Sequence, residues 1–342
     1  MKVAVGALAV AASMAAAPDY VAERIRVDGF EVVRLHDRRR DVEVRVVPAL
    51  GNNAYRMTVR GKDVLWSPGG SLRELHEKQA LFGNPLLSPW ANRLDAEAYD
   101  ANGKRYVLNP NLVNFRRDGK GKPIHGLLVH ASWDVTSLRA DEGGAVLVSR
   151  LEFWRHPDWM AQFPFAHALE TTHRLVDGAL TVETVIENVS TDPMPVSLGY
   201  HTFYQVGDAP RDEWAVHLAA RTRLKLDDGR IPTGETERNT LADRLPLAGV
   251  QLDDGFVDLA RGADGSAVFW LQGRKERVVV EIGPGYPVVV VFAPAGRAFV
   301  CFEPMSAVTN AFNLGHAGRF GPPTIPPGER WRAGFRIRTE GF

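Results

Sequence analysis

Four short clusters in this 342-residue chain set chemically capable side chains beside aromatics or glycine: Pro89-Trp90-Ala91-Asn92-Arg93, Ile124-His125-Gly126, Gly199-Tyr200-His201-Thr202-Phe203-Tyr204 and Phe302-Glu303-Pro304. The sequence makes poor provision for nucleophilic or metal chemistry. No Gly-x-Ser-x-Gly elbow exposes a serine. Among the ten histidines there is no His-x-His pair and no His-Glu-x-x-His motif, so no metal site is indicated. His125 and His130, five apart, would face opposite ways on one strand. Proton transfer is what remains. An unperturbed histidine titrates near ~6.5 and a glutamate near ~4.3; a nearby carboxylate would raise the first and burial the second, leaving both able to exchange protons near neutrality. Aromatic faces combined with Arg, Asn, Asp and His also suit a sugar, which needs an apolar wall and a few polar groups for its hydroxyls. Singly, each cluster has an ordinary structural reading, a hydrogen-bonded core histidine or a solvated glutamate at a strand end. Their joint occurrence carries the functional reading.

The elements that must position these groups are strands. From about Ile25 to about Arg338 the dominant signal is period-two alternation, as in Asp41-Val42-Glu43-Val44-Arg45-Val46 and Leu180-Thr181-Val182-Glu183-Thr184-Val185. Turn signals break the runs closely: Asp177-Gly178, Asp141-Glu142-Gly143-Gly144 and Ala295-Gly296-Arg297 each read as the tip of an antiparallel hairpin. Ser71-Leu72-Arg73-Glu74 fits a capping box before one short helix. The βαβ rhythm is missing, no Gly-x-Gly-x-x-Gly follows a strand, and Gly119-Lys120-Gly121-Lys122-Pro123 reads as a flexible loop, so no organic cofactor is expected. The pattern predicts an all-β protein, a large antiparallel β-sandwich formed by one domain over residues 18–342.

With 45% hydrophobic side chains the chain has ample material for a core. Lys plus Arg equals Asp plus Glu at 41 each, which argues against nucleic acid or an anionic membrane and for a small neutral partner. The run Arg38-Arg39-Arg40 reads as a solvated turn. The one cysteine, Cys301, lies in an apolar run and reads as a buried small hydrophobe. Residues 1–17, with Lys2 ahead of an Ala/Val-rich stretch, resemble a secretory signal and imply a periplasmic or secreted protein; a start at Met14 would instead leave it cytoplasmic.

In their order along the chain, these clusters resemble the aldose 1-epimerase, or galactose mutarotase, family over nearly the whole length beyond residue 17. Asn92-Arg93 resembles the family's substrate-binding Asn-Arg, His125-Gly126 its first histidine, His201 in His-Thr-Phe-Tyr its catalytic histidine, and Glu303-Pro304 its catalytic glutamate. Asp253 in Asp253-Asp254-Gly255-Phe256 resembles its sugar-binding aspartate, with Asp254 the rival; adjacent strand residues face opposite ways, so one of them should reach the sugar. Leu127 stands where many members have glycine, and the order Phe203-Tyr204 is reversed, departures that leave the preferred aldose open. The resemblance implies a β-supersandwich, monomeric or homodimeric, that works without a cofactor on a hexose. Glu303 would take the proton of the anomeric hydroxyl while protonated His201 gives one to the ring oxygen. Arg93, His125 and Asp253 would hold the ring and its hydroxyls, with His125 available as a second donor. Two alternatives stand beside it: a hexose-6-phosphate 1-epimerase, for which Arg116 and Arg117 are the available cations, and a non-catalytic carbohydrate-binding sandwich.

Overall fold

In the computed structural model, residues 18–314 and 320–342 are described; the signal-like segment 1–17 lies outside them. The alternating runs form antiparallel sheets. The largest has nine strands in the order Leu245–Pro246, Ala215–His217, Ala267–Gln272, Arg277–Ile282, Arg330–Glu340, Ala179–Asn188, His167–Val176, Gly144–Glu152 and Asp134–Asp141. A second sheet of eight runs Pro232–Arg238, Ala220–Leu226, Leu252–Leu259, Val288–Ala293, Val300–Met305, Gly199–Tyr200 and Leu86–Leu87, with Thr202–Tyr204 also paired to Val300–Met305. An N-terminal meander of five strands between Tyr20 and Asp63 adds its apolar face to the same core. This is the all-β antiparallel sandwich that the alternation predicts.

The hairpins fall where turn residues demand them. Val176 pairs with Ala179 across the two-residue tip Asp177-Gly178. Both tip residues have positive φ, 52° and 72°, the backbone that matches the twist of the flanking strands. The short helix Leu72–Glu77 starts at Ser71, whose side chain and that of Glu74 cap it reciprocally, and it buries Leu72 and Leu75. Arg38, Arg39 and Arg40 sit in an exposed turn, as expected, with Arg40 paired to Asp177 at 2.9 Å.

Alternate residues of the two large sheets meet in the core: the Phe269 and Phe302 rings lie 5.7 Å apart, and the Thr184 and Tyr200 hydroxyls are hydrogen-bonded at 2.6 Å. Burying such side chains stabilises the fold by roughly 1.5–3 kcal/mol each. The pleat then decides what the other face carries. Val300 and Phe302 point into the core, so Cys301, Glu303 and Met305 point away from it, and the register Val290 opposite Glu303 and Asp253 opposite Phe292 sets Asp253, Phe292 and Glu303 on one face. Cys301 is fully buried in an aromatic cluster with Phe203 and Phe299 on that face, and burial raises its thiol pKa well above the ordinary value. It is the buried small hydrophobe expected.

Candidate active site

His201 interrupts the paired segments Gly199–Tyr200 and Thr202–Tyr204, with its N–H donating to the Pro85 carbonyl at 3.0 Å. Its ring stacks on Phe203 at 4.5 Å and meets the Phe292 edge at 6.0 Å, which fixes the plane of the imidazole. Its Nε2 lies 3.3 Å from Glu303 Oε1. Both side chains are buried, yet Glu303 Oε2 is without a hydrogen-bond partner and His201 Nδ1 finds none beyond its own backbone, which is unusual for polar atoms this deep. Phe203, in the inverted aromatic order, is thus the ring that braces His201.

The other polar groups come from loops. Asn92, His125 and Gly126 all adopt positive φ, and the Asn92 carbonyl accepts the His125 N–H at 2.9 Å. Gly126 passes so close to Ser88 that a Cβ there would lie 2.1 Å from the Ser88 carbonyl oxygen, so this position requires glycine. The next residue, Leu127, is buried in the core, where a second glycine would leave a void. The fold thereby sets the His125 ring edge-on to His201 with centroids 5.3 Å apart. His125 and His130 are in a loop, not on one strand as the facing argument assumed, and they separate all the same: His125 lines the cavity, while His130 lies against His76.

Arg93 is held at every guanidinium nitrogen: Nε donates to Asp118 at 2.8 Å, Nη1 to the Asn92 amide oxygen at 3.1 Å, and Nη2 lies 3.8 Å from Asp253. Asn92 therefore spends its oxygen on orienting Arg93. Asp253 faces the cavity, whereas Asp254 points to the opposite face and is bound by Arg223 at 2.6 Å. A cavity of about 180 Å³ is lined by Asn92, Arg93, Ile124, His125, His201, Asp253, Phe292 and Glu303, so all six residues singled out from the sequence converge. That volume suits a monosaccharide better than the larger ligands that occupy roughly 300–1,000 Å³.

The protonation pattern departs from the expectation for histidine. Burial lowers His201 to about 3, with the Arg93 and Arg116 charges adding to the effect. Burial also pushes Glu303 well above the usual carboxylate range, assisted by the Asp253 charge and opposed by Arg93. The predicted rise of His201 beside a carboxylate fails because removing two ionised groups from water outweighs their attraction at this separation. Both shifts run toward the uncharged forms, neutral His201 and protonated Glu303. His125 is likewise depressed, by burial first and then by the positive charges around it.

Sequence reasoning missed several contributors. Asp118 lies at the start of the supposedly flexible loop, yet it accepts the Lys120 and Lys122 N–H groups at 2.9 Å each while holding Arg93. An Asp two and four residues ahead of those amides was the available signal of a side-chain-bonded turn. Lys120 also bonds the Asp228 carbonyl, so this loop and the one carrying Arg230 join at the rim. Arg230 Nε lies 3.9 Å from Asp253. Phe292 gave no local sign, because its place depends on pairing with Asp253. Among the described residues, no group of three or more His, Cys, Asp or Glu side chains is arranged to hold a metal ion.

Comparison with known proteins agrees with this architecture. A galactose mutarotase-like protein from Clostridium acetobutylicum superposes with a TM-score of 0.83 over 95% of this chain and 99% of that one, at 20% identity. Galactose 1-epimerase from Lactobacillus acidophilus superposes with a TM-score of 0.72 over 94% and 98%, at 17% identity. At such identities the likeness is one of fold. The sequence itself matches the aldose 1-epimerase family over residues 43–338, which include every residue lining the cavity; the chain belongs to the aldose 1-epimerase family.

Proposed function

We propose that the chain interconverts the α and β anomers of a free hexose by opening and reclosing its ring, with His201 and Glu303 as the acid/base pair. The observation that carries this reading is the 3.3 Å approach of His201 Nε2 to Glu303 Oε1, with outward lone pairs or protons unclaimed, in a monosaccharide-sized cavity. In ring opening, ionised Glu303 removes the proton of the C1 hydroxyl and protonated His201 donates one to the ring oxygen. The C1–O5 bonding electrons stay with O5, and O1 becomes the aldehyde oxygen. Rotation about C1–C2 and the reverse transfers close the ring on the other face. The pair carries one proton throughout. The neutral arrangement favoured by burial is the state reached after opening, so the site supports the developing intermediate more than the ion pair that begins the step. Arg93 and Asp253 address hydroxyls, and Phe292 offers an apolar face.

A neutral sugar fits better than a sugar phosphate, since among the described residues Arg93 is the one cationic side chain lining the cavity, and it already has Asp118, Asn92 and Asp253 around it. Polarimetry of α-glucose and α-galactose tests the reading. Wild type should accelerate anomer interconversion, and Glu303→Gln and His201→Asn should each lower the rate by roughly 10²–10⁴-fold while staying folded. Equal rates in all three proteins would leave a carbohydrate-binding sandwich without turnover.

A further inference from the structure

Asp253 is an acceptor held in place without being used up. Its carboxylate lines the cavity, and among the described residues no hydrogen bond is donated to it. Charge holds it instead: Arg93 Nη2 at 3.8 Å and Arg230 Nε at 3.9 Å flank the same oxygen, Oδ2. At those separations both guanidinium groups attract the carboxylate while neither occupies a lone pair, so its acceptor capacity is left for sugar hydroxyls. Arg93 belongs to the Asn-Arg segment, but Arg230 comes from the tip of the hairpin between Ala220–Leu226 and Pro232–Arg238. Antiparallel pairing of Arg223 with Phe256 carries the end of the first of these strands toward the start of Leu252–Leu259, where Asp253 lies. The tip is tightly built. The Asp227 side chain accepts the Gly229 and Ile231 N–H groups at 2.8 and 2.9 Å, and the Asp227 carbonyl accepts the Arg230 N–H at 3.0 Å. Arg230 takes a φ of 62°, a backbone that glycine adopts more readily than arginine.

Arg230 is committed to this contact. Among the described residues it meets no other carboxylate within 4 Å and makes no side-chain hydrogen bond, although its side chain is half-exposed. Its turn is also tied to the loop that holds the first arginine: Lys120 Nζ donates to the Asp228 carbonyl, and Asp118, in the same loop as Lys120, accepts Arg93 Nε at 2.8 Å. These contacts close a ring at the rim of the cavity, from Arg93 to Asp118, through Lys120 to the Asp228 turn, and back through Arg230 and Asp253 to Arg93. We propose that Arg230 is a positioning residue for the sugar: together with Arg93 it holds Asp253 between two charges and so fixes the carboxylate that receives the sugar's hydroxyls. This role rests on the epimerase reading, in which Asp253 addresses hydroxyls. Arg230 also bears on the base. The Asp253 charge helps to push Glu303 up, and two cations on Asp253 soften its repulsion of ionised Glu303.

Initial polarimetric rates of the full chain over a range of glucose concentrations test this role. Arg230→Gln should raise KM by about three- to fivefold, the scale of a half-exposed ion pair, with kcat changed by less than about twofold. Arg230→Lys keeps the charge at a contact that is not bidentate, and should stay near the wild-type KM; a KM as high as that of Arg230→Gln would overturn the proposal. A double-mutant cycle with Asp253→Asn identifies the route: once that carboxylate is gone, Arg230→Gln should raise KM no further. The same rise in both backgrounds would show that Arg230 acts apart from Asp253 and would overturn the proposal, as would a wild-type KM in Arg230→Gln. Glucose affinity from titration calorimetry separates this role from the epimerase reading. Weaker glucose binding by Arg230→Gln, alongside a wild-type rate no faster than that of the sugar alone, would sink the reading of turnover and support the role of Arg230 in binding. Interconversion by wild type with affinity and KM unchanged in Arg230→Gln would sink the role of Arg230 alone.

Discussion

At the residue scale, burial leaves His201 and Glu303 to share one proton. Because His201 is lowered to about 3 and Glu303 is raised, the pair loses its working state only when it gains a second proton at low pH or loses the first at high pH. The kcat/KM profile should therefore lack an acid limb near ~6.5; a limb at that ordinary histidine value would show that His201 is solvated or free of Glu303. Asp118 makes a second case. Its carboxylate orients Arg93 without lining the cavity, so Asp118→Asn should raise KM by about tenfold with a much smaller change in kcat, measured from initial polarimetric rates. An equal fall in kcat would mean that Asp118 acts on the reacting atoms. His201, Glu303, Arg93, His125 and Asp253 could be read from type and order in the sequence. Asp118 could not, because its Arg-Arg-Asp-Gly-Lys-Gly-Lys surroundings have the composition of any solvated loop and its role exists only once Arg93 is brought to it.

At the element scale, alternation predicted the strands and Asp-Gly tips the hairpins because both depend on local backbone physics. The pleat required that one of Asp253 and Asp254 face the sugar and the other face away, and the family resemblance picked Asp253; the structure sets Asp253 at the cavity and Asp254 against Arg223. The loops that bring in half of the site were illegible, their course being set by contacts such as Gly126 against Ser88 that join distant segments. Gly126→Ala should be severe: it combines φ of 65° with a Cβ 2.1 Å from the Ser88 oxygen, so a loss of more than about 2 kcal/mol is expected by chemical denaturation, together with displacement of His125. Gly296→Ala is the control. It shares a positive φ of 70° but meets nothing within 4 Å, and should cost only about 1 kcal/mol and spare activity. Equal losses would show that the Ser88 contact does not constrain the loop.

At the scale of the whole molecule, the sandwich buries histidines far from the cavity, and acid should find them. Burial holds His167 and His173 at about 4, against an ordinary value of 6.5; for His167 a bond to the Phe165 carbonyl partly opposes the fall. Between those values the unfolded chain binds more protons than the folded one. Stability is then full above ~6.5 and lost as pH falls toward ~4, by about 3 kcal/mol for each histidine. His173 has both ring nitrogens buried without a partner, so His173→Leu should flatten this dependence and raise the melting temperature at pH 5. An unchanged slope would mean that His173 is hydrated in the folded state. None of this was visible in the sequence, because His173 occupies an alternating strand where only tertiary packing makes it interior. The central claim, that the sandwich positions His201 and Glu303 to open a sugar ring, is tested most directly by polarimetry of freshly dissolved α-glucose and α-galactose with wild type and Glu303→Gln. Wild type should interconvert the anomers well above the spontaneous rate, and the variant should be slower by roughly 10²–10⁴-fold. A wild-type rate equal to that of the sugar alone, or a variant as fast as wild type, would contradict it.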